Sequence, residues 1–231
     1  MSGVHDGHRE RMREEFLKAG FTDATPEHKV LELLLIYSIP RRDTNEIAHR
    51  LIDAFGSLAG VMDASVEDLL KVPGISQNTA CLLKLIMPVA RQYTVSRSKN
   101  CVYVHTRDQA AEYVKQFYVG RTLETVFVLC LDNQGKVLDC AMVSEGDEIS
   151  VRVSARTVLE QVFKTKATVV MLAHNHPRGL ALPSQGDLDV THSIAVALQN
   201  LKIQLLDHVI YVDDDHVSLA QTPEYSYLFG G

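Results

Sequence analysis

Within fourteen positions the chain carries two imidazoles, a hydroxyl and a carboxylate: His174-Asn175-His176, then seven residues, then Ser184-Gln185-Gly186-Asp187. The set follows directly on the apolar run Thr168-Val169-Val170-Met171-Leu172-Ala173. That run is short, continuous and β-branched at its start, and it reads as a buried strand. At a strand's end residues i and i+2 point to the same side, so His174 and His176 can both face one cation. The loop from Pro177 to Pro183 can then bring the chain back so that Asp187 adds a third ligand. Two neutral nitrogens and one anionic oxygen, with a fourth position open to water, form the ligand set of a catalytic zinc ion. Ser184-x-x-Asp187 opening a helix is equally an N-capping pair. The two roles can coexist, Ser184 capping the helix while its hydroxyl faces the site.

A zinc hydrolase also needs a base outside the ligand shell and a group that supports the oxyanion. Glu124 is the best-placed carboxylate, because it stands just before a strand beginning at Thr125. It reaches the site if that strand neighbours the one leading to His174. Glu145 and Glu148, after the next strand, are its competitors. Zinc deaminases are excluded: they need His-x-Glu followed by Pro-Cys-x-x-Cys, and the chain has neither.

The elements that must position these residues fall into two halves. Up to about residue 93 the pattern is helical: Arg9 to Ala19; Val30–Ile36, begun at Thr25-Pro26-Glu27 with a cap and a first-turn proline; Asp43 to Ala54; a short helix capped at Ser65; and Ser76 to Gln92. Residues 94–100 are polar and basic and read as a linker. Beyond it, strands at Val102–His105, Thr125–Leu131, Lys136–Val143, Ile149–Val153, Thr168–Ala173, Ile203–Leu206, Val209–Val212 and around Val217 alternate with helices from Thr106 to about Tyr118, Ser154 to Lys164 and Asp187 to Gln199. Hairpins mixed with crossover helices imply an α/β fold, an α/β/α sandwich around a mixed sheet. The helical half carries a weak repeat. Ile39-Pro40-Arg41-Arg42-Asp43 precedes a helix with Ala48, much as Val72-Pro73-Gly74-Ile75-Ser76 precedes one with Ala80.

Composition narrows the function classes. At 231 residues, 46% hydrophobic and 23% charged, the chain is globular in character and long enough for two modest domains. No apolar run approaches ~18 residues, and no secretory apolar core follows Met1, so no membrane partner is expected. Cys81, Cys101, Cys130 and Cys140 are scattered, which favours reduced thiols and a cytoplasmic protein. Residues 1–99 balance 13 Lys and Arg against 13 Asp and Glu, whereas residues 100–231 carry 10 against 16 and so the whole net charge of −6. An acidic half is a poor match to phosphate backbones; any DNA contact falls to the first half.

The spacing His174-Asn175-His176, seven residues, Ser184, two residues, Asp187 resembles the JAMM motif of the JAB/MPN metalloproteins, and Asn175, Pro177 and Gly179 resemble its RadC-type branch. The likeness runs along nearly the whole chain, through His8-Arg9-x-Arg11, Leu31-Glu32-Leu33-Leu34, Ile39-Pro40-Arg41-Arg42-Asp43 and Phe55-Gly56-Ser57-Leu58. It implies a JAB/MPN domain over residues 101–231 behind a helical domain over residues 1–93. It further implies His174, His176 and Asp187 as zinc ligands, Ser184 as oxyanion support, Glu124 as general base, and peptidase or isopeptidase activity. The branch also carries a DNA-repair label. The chain departs from the branch at Arg178, Leu180 and Gly186, none a ligand, and these positions bear on substrate preference. Val72-Pro73-Gly74-Ile75-Ser76 with Ala80 resembles a helix-hairpin-helix, whose glycine turn offers backbone N–H groups to phosphates. Lys71, Lys84, Arg41 and Arg42 are its nearby cations. Two readings result: a zinc-dependent hydrolase of peptide or isopeptide bonds, or a DNA-binding protein that uses residues 71–80, its JAB-like domain a scaffold or acting on nucleic acid.

Overall fold

The computed structural model describes residues 4–40, 42–97, 102–146, 153–177, 179–213 and 215–229. The chain divides into two compact units, residues 1–90 and 91–231.

In the first unit six helices begin: α1 (Val4–Ala19), α2 (Glu27–Ser38), α3 (Thr44–Phe55), α4 (Leu58–Asp63), α5 (Val66–Lys71) and α6 (Gln77–Arg97). Side-chain oxygens of Asp43, Ser57 and Ser65 accept from backbone N–H groups at the starts of α3, α4 and α5, which satisfies donors that a helix leaves open. α2 starts at Pro26 without a side-chain cap; the Thr25 hydroxyl expected there accepts instead from the Thr22 N–H at 3.0 Å. Leu31, Leu35, Leu51, Leu69 and Leu83 build one core with Ala48 and Ala80. The two alanines of the sequence repeat are both fully buried. Gly74 has φ +102°, and a Cβ there would stand 2.8 Å from Ile47 Cδ1, so the turn between α5 and α6 packs on α3 only as glycine. Helix α6 runs through residues 94–97, part of the expected linker; residues 98–100 lie outside the described residues.

The second unit contains α7 (Arg107–Lys115), β1 (Thr125–Leu131), β2 (Val137–Glu145), α8 (Ala155–Thr165), β3 (Val169–Asn175), α9 (Gln185–Asn200), β4 (Gln204–Val212) and β5 (Asp215–Ser218). The strands form one sheet in the order β2-β1-β3-β4-β5. Among the described residues only β3 and β4 pair in parallel, joined by the α9 crossover, and the other pairs are antiparallel. Strand residues alternate between faces. Val126, Val128, Val170 and Leu172 pack with Val158 and Val162 of α8 and Ile194 and Leu198 of α9. Phe127, Leu129, Met171 and Ala173 pack on the other face with Ala110, Ala111 and Val114 of α7. The result is the expected α/β/α sandwich on a mixed sheet.

Three of the expected strands, at residues 102–105, 203–206 and 209–212, take another form. Residues 102–105 supply only a single bridge, Tyr103 to Lys136. Residues 203–206 and 209–212 belong to one strand, β4. Its register slips between the pairs Val170–Leu205 and Met171–Asp207, which carries Asp207 and His208 into the sheet. Of the strand expected at residues 149–153, residues 149–152 lie outside the described residues, and Val153 is buried but not in a strand. Among the described residues no helix is long and apolar enough to cross a membrane.

Candidate metal centre

The three ligand candidates meet where β3 ends and α9 begins. His174 lies on the same face of β3 as Val170 and Leu172, the face covered by α8 and α9. His176 stays in line because its N–H donates to the Tyr211 carbonyl of β4 at 2.8 Å. Asp187 comes from the first turn of α9, fixed by a capping box. Its N–H donates to Ser184 Oγ at 3.2 Å, while the Ser184 N–H and O–H donate to Asp187 Oδ2 at 2.8 and 2.7 Å. The structure thus gives Ser184 the capping role and commits its one hydroxyl proton to Asp187. Oδ1 is left toward His174 Nε2 at 3.4 Å, and Oδ2 lies 3.8 Å from His176 Nε2. The two Nε2 atoms are 2.8 Å apart.

Hydrogen-bond polarity says what this cluster lacks. Thr191 Oγ1 lies 2.5 Å from the Asp187 carbonyl, which can only accept, so the hydroxyl donates there. It must then accept from His208 Nδ1, at 2.6 Å. A neutral His208 therefore presents a bare Nε2 to His174 Nδ1, at 2.8 Å. His174 carries its proton on Nδ1 and a lone pair on Nε2. His176 Nδ1 faces the Leu180 carbonyl at 3.0 Å, which sets the same tautomer. Two imidazole lone pairs and a carboxylate consequently converge with no donor between them, an arrangement that is repulsive unless a cation sits among them. Ligand atoms at 2.0–2.1 Å from a tetrahedral zinc-sized ion stand about 3.3–3.4 Å apart. The Nε2–Nε2 distance of 2.8 Å and the His174 Nε2–Asp187 Oδ1 distance of 3.4 Å lie near that value, and with one ligand atom from each residue all three lie within 4.8 Å of one another, so the residues fit a metal ion. His174 is 2% exposed, while His176 and Asp187 are 16% and 12% exposed, so the cluster opens to solvent on their side.

Electrostatics agree. Burial alone would raise the Asp187 carboxyl, but a protonated His174 beside it, standing in for the cation, and the two Ser184 donors outweigh burial and hold it well below the usual carboxylate range. Burial, with His174 and His176 close by, pushes His208 down to about 3, against the pull of Asp187. The sign follows from proton counts: between about pH 6.5 and 3 the unfolded chain protonates this imidazole and the folded chain does not. Stability of the chelator-treated protein should therefore fall with acidification across that window, by up to about 1.4 kcal/mol per pH unit from this group. Urea unfolding against pH should show a shallower slope for His208→Gln; identical slopes would remove His208 from the account.

His208, Thr191 and Asn175 take parts in the site that the sequence did not assign to them. Asp207 and His208 are polar inside an otherwise apolar run and read as a break between strands. In the structure both are buried. Asp207 accepts from Ser218 Oγ at 2.5 Å and Ala220 N at 2.9 Å. Asn175 Oδ1 accepts from the Thr125 N–H at 2.8 Å, and its Nδ2 donates to the Leu123 carbonyl at 3.2 Å. The clamp holds the segment that carries Glu124 against the end of β3. Strand β1 does neighbour β3, with Val126 opposite His174, and Glu124 stands one residue before β1. Glu145 pairs with Arg121. Glu148 lies outside the described residues.

An α/β/α sandwich with His-x-His at the end of a central strand, and an Asp in the first turn of the crossover helix, is the arrangement of a JAB/MPN-type domain. The RadC-like JAB domain matches residues 104–224. A UPF0758 protein of Fusobacterium nucleatum subsp. nucleatum is 31% identical over 224 residues, covering 94% of this chain and 96% of the relative. A UPF0758 protein of Coprothermobacter proteolyticus is 30% identical over 216 residues, covering 92% of each. The chain belongs to the RadC-like JAB family.

Proposed function

We propose that the chain is a zinc-dependent hydrolase of peptide or isopeptide bonds. The observation that carries this reading is the convergence of the His174 and His176 lone pairs and the Asp187 carboxylate at the solvent-facing edge of the sheet. A bound zinc ion supplies Lewis acidity, polarising a carbonyl oxygen and bringing the pKa of water in its open position to about 7. Glu124 takes the proton from the attacking water and returns it to the departing amine. Asn175 holds the Glu124 segment in place. Ser184 supports the oxyanion by swinging its hydroxyl from Asp187 Oδ2, where its own N–H remains as donor. Leu180 and Leu182, 73% and 60% exposed on the loop between His176 and Ser184, offer apolar contact to a substrate. Among the described residues Cys81, Cys130 and Cys140 are free thiols, which fits a reducing, cytoplasmic setting. The test joins metal analysis to an unbiased peptide and isopeptide cleavage screen. About one zinc per chain and cleavage abolished by chelation are expected; a chain that takes up no metal in excess zinc overturns the reading.

A second reading, DNA contact through residues 71–80, draws on the Gly74 turn between α5 and α6. Its local cations argue against it: Lys71 pairs with Asp68 at 2.6 Å and Lys84 donates to the Met62 carbonyl at 2.6 Å. A salt-dependent mobility shift lost on Lys71→Glu would favour it.

A further inference from the structure

We propose that His208 is a positioning residue for the metal, holding His174 in its metal-ready tautomer through a hydrogen-bond relay anchored by Thr191. The inference rests on the metal-site reading above and adds to it a residue that touches neither ion nor substrate. Each link has one possible direction. The Asp187 carbonyl can only accept, so Thr191 donates to it at 2.5 Å. Thr191 then accepts from His208 Nδ1 at 2.6 Å, and His208 Nε2 accepts from His174 Nδ1 at 2.8 Å. The proton that would otherwise compete for His174 Nε2 is thereby held on the far side of the ring.

The relay also closes a loop through the fold. It leaves β3 at His174, crosses to β4 at His208, passes to α9 at Thr191 and ends on the main chain of Asp187, itself a ligand. Thr191 is one helical turn beyond Asp187, so its hydroxyl reaches back to the i−4 carbonyl. Two of the three ligands, supplied by different elements, are thus tied to each other independently of the ion. His208 is 4% exposed and Thr191 fully buried, so water does not substitute for either link. A ligand imidazole that donates its other N–H to a fixed acceptor is oriented and made more basic, and losing such a partner costs about 10- to 100-fold in metal affinity. His176 takes the main-chain carbonyl of Leu180 as its acceptor. His174 has a side chain in that place, so here the contribution can be removed by substitution.

The test measures zinc affinity by competition with a chromophoric chelator, and the visible spectrum of the Co2+-loaded protein, on the full chain. His208→Leu should weaken zinc binding about 10- to 100-fold and shift the cobalt bands. His208→Gln, whose side-chain carbonyl can accept from His174 Nδ1, should restore most of the affinity. Thr191→Val should weaken binding and Thr191→Ser should not, an arm that remains if His208→Leu does not fold. Equal affinity in wild type and both apolar variants overturns the inference while leaving the metal site intact. His208→Gln as weak as His208→Leu, with both folded, also overturns it, because packing and not the acceptor would then be at work. Wild type without metal affinity overturns the metal site itself, and the relay with it.

Discussion

Asp187→Ala is expected to take zinc from about one ion per chain to almost none, with cleavage lost alongside it. The substitution removes the only anionic donor of the three and leaves two imidazoles whose lone pairs meet at 2.8 Å. The loss should exceed the roughly 10- to 100-fold typical of outer partners. Asp187 is also half of a capping box, so a fall in stability has to be separated from a fall in affinity. Ser184→Ala makes the separation: it deletes the capping hydroxyl, at a cost of about 1 kcal/mol, and leaves the carboxylate. Asp187→Asn makes it from the other side, since its amide oxygen can still accept from the Ser184 N–H while the charge is gone. Elemental analysis should rank zinc content as wild type, then Ser184→Ala, with Asp187→Asn and Asp187→Ala near zero. Zinc bound only by the folded state raises Tm by mass action. A chelator should therefore lower Tm in wild type and Ser184→Ala, and leave both Asp187 variants where they are. Equal zinc in wild type and Asp187→Ala would dispose of the site.

The part of this centre written locally in the chain was legible from it. His174 and His176 share a face because a strand repeats every two residues, and Ser184 and Asp187 sit together because a helix N-terminus pairs positions three apart; neither needs tertiary information. What was hidden is what crosses the sheet. His208 is 34 residues from His174 and Asn175 is 50 residues from Thr125, and both depend on which strands are neighbours. Asp207 and His208 broke the apolar pattern of β4 because their polarity is satisfied internally, by Ser218, Ala220, Thr191 and His174. A periodicity reading has no means to separate a satisfied buried pair from a loop. The same blindness runs the other way at residues 94–97, read in sequence as part of a polar, basic linker yet helical in α6. Helix α4 is six residues long, capped by Ser57, and too short to impose a period of its own.

Glu124→Gln should leave zinc in place and reduce cleavage by about 10²- to 10⁴-fold, the range lost with a general base. Placement carries this expectation. Val126 is opposite His174 at the end of the β1–β3 ladder, and Glu124 stands two residues before it in the chain. The backbone there is held from two sides. Asn175 takes the Thr125 N–H and the Leu123 carbonyl, and the Gly146 N–H takes the Glu124 carbonyl at 2.8 Å. A base must sit within about 3 Å of the proton it removes, and such bracing fixes the backbone from which the carboxylate has to reach. Glu145 is a weaker rival, because it is opposite Thr125, whose neighbours on that face point to the α7 side, and its carboxylate is engaged by Arg121. Glu145→Gln should therefore cleave within a few-fold of wild type. Asn175→Ala, which frees the bracing and leaves the carboxylate, should lower the rate while keeping zinc, between those two results. Were Glu124→Gln to cleave at the wild-type rate and Glu148→Gln to fail with its zinc intact, the proton would belong to Glu148, and the Asn175 clamp would be bracing for the sheet alone.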